Sequence, residues 1–154
     1  MPLLQRAAAG IFLLLALAGA DGEQFKRSFI SIDTATGPKP FLVELALSPE
    51  QQEQGLMFRK AMAPNAGMLF IFGAPQVAHF WMHNTYLPLD MVFIAADGHV
   101  AGIHENAAPL KDDVISSDKS VLAVLELNAG TTARLGIKAG DLVHYQAFGT
   151  GAKE

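Results

Sequence analysis

The chain is short, acidic and rich in apolar residues, and these properties exclude several classes of protein. It has 154 residues, a formal net charge of −4 at pH 7, 51% hydrophobic residues and no cysteine. The length predicts one domain. Without cysteine there is no thiol nucleophile, thiolate zinc site or iron–sulfur cluster. The acidic balance argues against a nucleic-acid partner, because no stripe of lysine and arginine is present to neutralise phosphates.

The N-terminus has the order of segments found in secretory signal peptides. A start with one positive charge precedes an apolar run over residues 7–17, and Ala18-Gly19-Ala20 forms a small-x-small cleavage site. We therefore predict a signal peptide over residues 1–20, cleaved after Ala20, and an exported, periplasmic protein. The apolar run is short for a bilayer, so no stable membrane span is expected after cleavage; a retained anchor is the alternative.

In the rest of the chain, turn residues separate short apolar runs at regular intervals, which is typical of a small β fold. We predict a disordered segment over residues 21–28, one β domain over residues 29–148 and a tail over residues 149–154. The fold class is mainly β: a single compact β-sandwich or barrel-like domain with one or two short helices. Parallel βαβ units are not expected, because no helix-length pattern lies between the strands. Apolar or alternating runs predict about eight short strands, over 29–32, 41–47, 68–72, 77–84, 89–95, 99–105, 121–127 and 142–148.

Capping signals predict the two short helices. Ser48 fits as the N-cap of the first helix, a proline follows it, and Gln51 fits as the reciprocal capping-box residue. This helix is polar and should lie on the surface. Thr131 is predicted to cap the second helix. The polar stretch over residues 106–120 is predicted to be an exposed loop.

Five short motifs occur in order between about Phe29 and Tyr145. They are Gly55-Leu56-Met57-Phe58-Arg59, Gly67-Met68-Leu69-Phe70, the block from Phe80-Trp81-Met82 through Asn84-Thr85 to Pro88-Leu89-Asp90, Leu125-Glu126-Leu127 with Ala129-Gly130, and Leu135-Gly136-Ile137-Lys138 with Gly140-Asp141. In this order and spacing the set resembles the prokaryotic family called domain of unknown function 192. The resemblance implies a compact, mostly β domain of sandwich or barrel type, often exported, without an established activity. At the position of His83 the family usually has a basic residue, commonly lysine, which weakens any mechanism that requires an imidazole there.

Polar and aromatic residues are concentrated between His79 and Ile94, which makes this segment the first candidate for a site. The simplest interpretation of Asn84, Thr85 and Asp90 is structural, since such side chains satisfy backbone N–H groups in turns. The functional alternative is that Asp90 lines a pocket as a hydrogen-bond acceptor or general base.

Arg59 is the predicted partner of a carboxylate in this site. Its guanidinium can hold Asp90 or Glu126 in a bidentate pair, or it can hold a ligand carboxylate or phosphate. A charge at the position of Glu126 is unusual for a core and ordinary for a sheet edge. The candidate ligand-binding residues are therefore Arg59, Trp81, Asn84, Thr85, Asp90 and Glu126.

Three functions are compatible with these residues. The leading hypothesis is an exported binding or accessory domain for a small polar ligand or a peptide. The second is a hydrolase-like or metal-assisted enzyme that uses Asp90, Glu126 and the pair His79 and His83, which would share one face of a strand. The motifs that define metal sites by spacing are absent, so no metal or cofactor is expected. The third is a structural envelope protein.

Overall fold

The described part of the chain is mainly β, as predicted, with two short α-helices. The computed structural model describes residues 25–151, so the predicted signal peptide and the end of the predicted tail lie outside the described residues. Within this range no helix is long and apolar enough to cross a membrane. The elements are β1 (Lys26–Thr34), β2 (Gly37–Ala46), α1 (Pro49–Gln54), β3 (Ala66–Phe80), β4 (Leu89–Ile94), β5 (Val100–Ala107), β6 (Ile115–Asn128), α2 (Thr131–Leu135), β7 (Leu142–His144) and a 3-10 helix (Gln146–Phe148).

The seven strands form one curled sheet in the order β5-β4-β6-β3-β2-β1-β7. The two outer strands approach each other at one end, where the Val100 N–H donates to the Asp141 carbonyl at 2.8 Å and the Val143 N–H donates to the Gly98 carbonyl at 2.9 Å. This contact satisfies edge groups that would otherwise be open to pairing with another chain. Of the two predicted forms, the barrel-like one is confirmed, since a single sheet curls into a half-barrel.

One pair of strands is parallel and has a helix between its members, which contradicts the expectation that the fold contains no βαβ unit. β2 and β3 run parallel, with Val43 opposite Gly67 and Leu45 opposite Leu69. A parallel pair needs a crossover of about a dozen residues or more, and the connection over residues 47–65 supplies it. The helix within that connection, α1, has only six residues, too few to give a clear helical period.

Several element boundaries differ from the prediction. β1 begins at Lys26, so residues 26–28 lie in a strand instead of the predicted disordered segment. The two strands predicted over 68–72 and 77–84 are one long strand, β3, whose pairing with β6 shifts between Ile71 and Gln76. Such a β-bulge accommodates the Gly-Ala-Pro stretch that suggested a break. β6 begins at Ile115, inside the predicted loop.

Apolar side chains cover both faces of the central strands. On the inner face, β6 contributes Leu125 and Leu127 to the larger core cluster. On the outer face, it contributes Val124 to a second cluster that also holds Met68 of β3 and Met91 of β4. Strands buried on both faces tend to have continuous apolar sequences. A charged residue on the outer face of β6 is therefore also buried.

Local signals predicted α1 well and the start of α2 poorly. The Ser48 side chain accepts from the Gln51 N–H at 3.2 Å, and the Gln51 side chain accepts from the Ser48 N–H at 3.2 Å, which confirms the capping box. In α2 the N-cap is Gly130, in a left-handed conformation, and Thr131 is the first helical residue. Gly130 has no side chain to cap the helix, and the carboxylate of Asp90 takes that role.

Candidate functional site

The six candidate residues lie in three separate places. Arg59 is next to β2, Asp90 is buried beside α2, and Glu126 lies at a crevice together with Trp81 and Thr85. Asn84 is in the turn beside that crevice. The predicted convergence of Arg59, Asp90 and Glu126 on one cleft is wrong.

Arg59 pairs with Glu44 of β2. The Nη2 atom of Arg59 is 2.8 Å from Oε2 of Glu44, and its guanidinium carbon lies 5.8 Å from the ring centroid of Phe25. Arg27 approaches the same carboxylate at 3.7 Å. The parallel crossover brings the segment after α1 back to β2, which explains why Arg59 meets Glu44 instead of a carboxylate of β4 or β6.

Asp90 is fully buried, and its carboxylate oxygens accept hydrogen bonds from donors of the protein. Its Oδ1 accepts from the N–H groups of Asn106 (3.0 Å) and Gly130 (3.1 Å), and its Oδ2 accepts from the N–H (2.9 Å) and hydroxyl (2.7 Å) of Thr132. Burial alone would raise the pKa of Asp90, but these hydrogen bonds outweigh burial and hold the pKa below its usual value. The geometry matches the structural interpretation, because both carboxylate oxygens accept two hydrogen bonds from protein donors.

The two histidines of the proposed metal site have separate partners. Nδ1 of His79 is 2.8 Å from the Ser116 hydroxyl, and Nδ1 of His83 is 2.7 Å from a carboxylate oxygen of Asp112. The ring of His83 lies against Trp81, with centroids 5.0 Å apart. Among residues 25–151 no three His, Asp or Glu side chains are placed to hold a metal ion.

Glu126 is the unusual carboxyl of the sheet. It is 4% exposed, and it lies on the outer face of β6 between Met68 of β3 and Met91 of β4. No hydrogen bond or ion pair from the described residues reaches its carboxyl. Burial raises the pKa of Glu126 to about 8. Every side-chain polar atom that is sealed from solvent in the described region has a partner, so this carboxyl opens into the crevice it lines.

The crevice lies between the end of α1 and the turn that follows β3. Its walls include Gly55, Leu56 and Met57 on one side and Trp81 and Thr85 on the other. Its volume of about 40 Å³ accommodates roughly three groups of water size, each of which needs about 10–15 Å³. The crevice can therefore hold a small polar head group and nothing larger.

A hydrogen bond between two residues with a positive φ links the two turns that flank the crevice. Phe58 and Asn84 both have a positive φ, of 63° and 51°, and the Phe58 N–H donates to the Asn84 carbonyl at 2.9 Å. The ring of Phe58 also contacts Tyr86 edge-on, at 6.2 Å between centroids. A bulky residue in the left-handed region is uncommon, and such strain is concentrated at functional sites. Asn84 thus joins the two turns through its backbone carbonyl and not through the side-chain contact that the sequence suggested.

A larger aromatic groove adjoins the crevice. The two share the side chains of Phe70, Phe80 and Trp81, and the rings of Phe70 and Phe80 pack edge-on at 5.0 Å. Residues that the sequence did not single out complete the groove, since α1 was predicted only as a surface helix. The groove has a volume of about 410 Å³ and is lined by Gln52, Glu53, Phe70, Phe72, Gln76, Val77, His79, Phe80 and Trp81.

The fold and this site define a small half-barrel β domain with a ligand-sized groove on its outer face. The model of the family domain of unknown function 192, described as "Uncharacterized ACR", matches residues 30–145. The chain belongs to this family, as its motifs predicted.

Two solved structures are similar to this chain, each with a TM-score of 0.78. One is a proposed transcription regulator from Sinorhizobium meliloti 1021, 49% identical, with 80% of this chain and 96% of that chain covered. The other is a protein of unknown function from Novosphingobium aromaticivorans DSM 12444, 38% identical, with 81% of this chain and 89% of that chain covered. No curated protein matches the sequence.

Proposed function

We propose that this protein is an exported binding domain that holds a small amphipathic ligand, or a side chain of a peptide, in the aromatic groove. The observation that carries the proposal is the continuity of the groove, about 410 Å³, with the crevice that ends at Glu126. Ligand sites are typically concave, about 300–1,000 Å³ in volume, and apolar, with a few polar groups that orient the ligand. The groove and crevice together have that composition.

Trp81 gives further support, because it leaves much of its ring in water. The side chain is 50% exposed, and it borders both the groove and the crevice. Tryptophan combines a large apolar surface with a polar N–H and is enriched where proteins contact partners. A ligand that covers this ring gains about 25 cal/mol for each Å² of apolar surface removed from water.

The enzymatic alternative has less support from the arrangement of the carboxyl groups. In the β4–β6 register Asp90 is opposite Leu127, and Met91 is opposite Glu126. Successive residues of a strand point to opposite faces, so the carboxyls of Asp90 and Glu126 lie on opposite faces of the sheet. They cannot act on one substrate as a general acid and base.

The description of the Sinorhizobium meliloti relative does not lead us to propose nucleic-acid binding for this chain. The formal net charge is −4, and no lysine or arginine of the described region lines the groove or the crevice. Affinity for nucleic acid depends mainly on cationic side chains that neutralise phosphates.

Ligand binding can be tested through the fluorescence of Trp81, the single tryptophan of the chain. The purified protein is titrated with a panel of small amphipathic alcohols, amines, carboxylates and short apolar peptides, and thermal unfolding is measured in parallel, since binding must raise stability. We expect at least one class to change both signals. Trp81→Ala should weaken that binding in the thermal assay, and the matched control is Phe29→Ala, an exposed aromatic of β1. Equal losses in the two variants, or no response to any class, would contradict the proposal and favour a structural envelope role.

Export is a separate part of the proposal and needs its own test. The signal peptide predicted over residues 1–20 implies that the exported protein begins at Asp21. We expect the full-length gene product to be recovered from the periplasm with the mass of residues 21–154. A periplasmic protein of full-length mass would indicate a retained anchor, and a cytoplasmic protein would contradict export.

A further inference from the structure

The crevice presents a carboxyl that has no partner among residues 25–151, at the end of a path lined by aromatic rings. Glu126 is more than nine-tenths buried, and its carboxyl opens into the crevice. A buried carboxylate is strongly disfavoured unless a cation or hydrogen-bond donors satisfy it. The donors that satisfy Asp90 have no counterpart at Glu126 among residues 25–151, so the ionised form of this carboxyl depends on solvent or a bound molecule for a partner.

We infer that the crevice binds a primary ammonium group, with the Glu126 carboxylate as its ion-pair partner and the groove holding the apolar part of the same ligand. The inference rests on the proposed function and names the ligand class: an alkylamine, or a peptide amino terminus that bears an apolar side chain. An ammonium group has three N–H donors, and the crevice offers two acceptors, the carboxylate and the hydroxyl oxygen of Thr85. That hydroxyl donates to the His83 carbonyl at 3.0 Å, and its lone pairs can accept.

The charges around the site favour a cation over an anion. Glu53 of α1 lines both the crevice and the groove, so the path carries two carboxyl groups, one at the end and one near the entrance. The cross-strand neighbours of Glu126, Met68 and Met91, are uncharged. His79 of β3 is the basic side chain that lines the groove, and it already has a partner in Ser116.

The size of the crevice selects among cations. A volume of about 40 Å³ accepts an ammonium group, which is similar in size to a water molecule. A trimethylammonium group adds three methyl groups and exceeds roughly three water-sized volumes. The crevice should therefore discriminate by shape between a primary amine and its quaternary analogue.

Binding of an ammonium ion must release a proton. Burial raises the pKa of Glu126 to about 8, so the empty crevice holds mostly the neutral carboxylic acid at pH 7. The ammonium ion keeps its proton, because an alkylamine resembles lysine with a pKa near 10, and the carboxylic acid loses its own proton to solvent as the ion pair forms. Affinity should therefore rise about tenfold per pH unit below pH 8 and level off above it. Because the imidazole of His79 also lines the groove, His79→Gln is the control that isolates the contribution of Glu126.

The test compares n-pentylamine with two matched probes, n-pentanol and n-pentyltrimethylammonium, by calorimetry and Trp81 fluorescence on the purified protein. We expect n-pentylamine to bind at least about tenfold more tightly than either probe, with close to one proton released at pH 7 in buffers of different ionisation enthalpy. Glu126→Gln should remove both the preference and the pH dependence, whereas His79→Gln should retain both.

The outcomes separate this inference from the proposed function. If n-pentanol binds as tightly as n-pentylamine, with no proton released, the groove binds ligands but the ammonium site is refuted. If none of the three probes binds, both ideas fail for short alkyl ligands. Because proton release and the probe comparison are measured on the unaltered protein, the test does not depend on the folding of Glu126→Gln.

Discussion

Asp90 and Glu126 lie one residue out of register on neighbouring strands, and both side chains are buried. Asp90 points to the inner face, where three backbone N–H groups and one hydroxyl donate to it and hold its pKa below the usual value. Glu126 points to the outer face, where no donor from the described part of the chain meets it and burial raises its pKa to about 8. The comparison shows that the donors at each position, and not burial, decide whether a carboxyl in this sheet is a fixed structural anion or is left open to a ligand.

Replacing the satisfied carboxyl should have the largest effect on stability. In Asp90→Asn an NH₂ group would face N–H donors that now lie 2.9–3.1 Å from a carboxylate. We expect the free energy of unfolding to fall by about 3 kcal/mol, because buried donors lose a charged acceptor. Urea unfolding at pH 7 measures the change, with the exposed Asp118→Asn as the control. A loss below about 1 kcal/mol would mean that these bonds contribute no more than neutral ones.

Replacing Glu126, by contrast, should raise the free energy of unfolding. The pKa of Glu126 is about 8 in the folded state against an ordinary value of 4.5, so the folded state binds the proton more tightly than the unfolded state does. Its contribution is complete below about pH 4.5 and is lost as pH rises through about 8. Glu126→Gln should therefore stabilise the protein by about 2 kcal/mol at pH 8 and have little effect at pH 4.

Urea unfolding of the wild type and of Glu126→Gln at a series of pH values measures whether the difference in stability has this sign. The wild-type free energy of unfolding should fall by about 2 kcal/mol in total between pH 5 and 8 relative to that of Glu126→Gln. Glu53→Gln is the matched control, because Glu53 is exposed at the same site. Parallel curves for wild type and Glu126→Gln would contradict an ionisable group at this position. Asp90 has the opposite sign: its contribution is present above its unfolded pKa and is lost as pH falls through the lower folded pKa.

A smaller change at Asp90 removes one donor and leaves the carboxylate. Thr132→Val removes the hydroxyl that donates to Oδ2 at 2.7 Å and keeps the backbone donor at 2.9 Å. We expect a loss of about 1 kcal/mol and the onset of acid unfolding at a higher pH, because the pKa of Asp90 rises. Thr131→Val is the control, since the hydroxyl of Thr131 does not bond to Asp90. If the acid transition does not move, the hydroxyl is not one of the groups that lower the pKa.

The local parts of this fold were predictable from sequence, whereas the contrast between the two carboxyls was not. The capping box of Ser48 and Gln51 spans three residues, so its two hydrogen bonds could be inferred from the residue types alone. The donors of Asp90 come from Asn106, Gly130 and Thr132, which are 16 to 42 residues away in the chain. No periodicity along a single strand indicates which of two carboxyls such donors will reach.

The location of the site depended on topology that the residue pattern did not indicate. Glu126 was recognised as an unusual charge in an apolar strand, but its depth comes from the segment after α1 and the turn after β3, which cover the outer face. The parallel pairing of β2 with β3 carries the chain across that face, and the same crossover leads Arg59 to Glu44. Because α1 has only six residues, the crossover gave too weak a helical signal to be predicted.

Glu44 of β2 carries a third carboxyl for this comparison. It allows a test of whether an arginine side chain stabilises a carboxylate as well as the hydrogen-bond donors around Asp90 do. Its side chain is 17% exposed, and it has Arg59 at 2.8 Å and Arg27 at 3.7 Å. Because water screens both arginines, Glu44→Gln should lower the free energy of unfolding by only about 0.5 kcal/mol, measured by urea unfolding. The difference should shrink further in 1 M salt, where the Debye length is about 3 Å. A loss as large as that of Asp90→Asn would contradict this expectation, because it would mean that a partly exposed ion pair stabilises the sheet as strongly as the buried donors of Asp90 do.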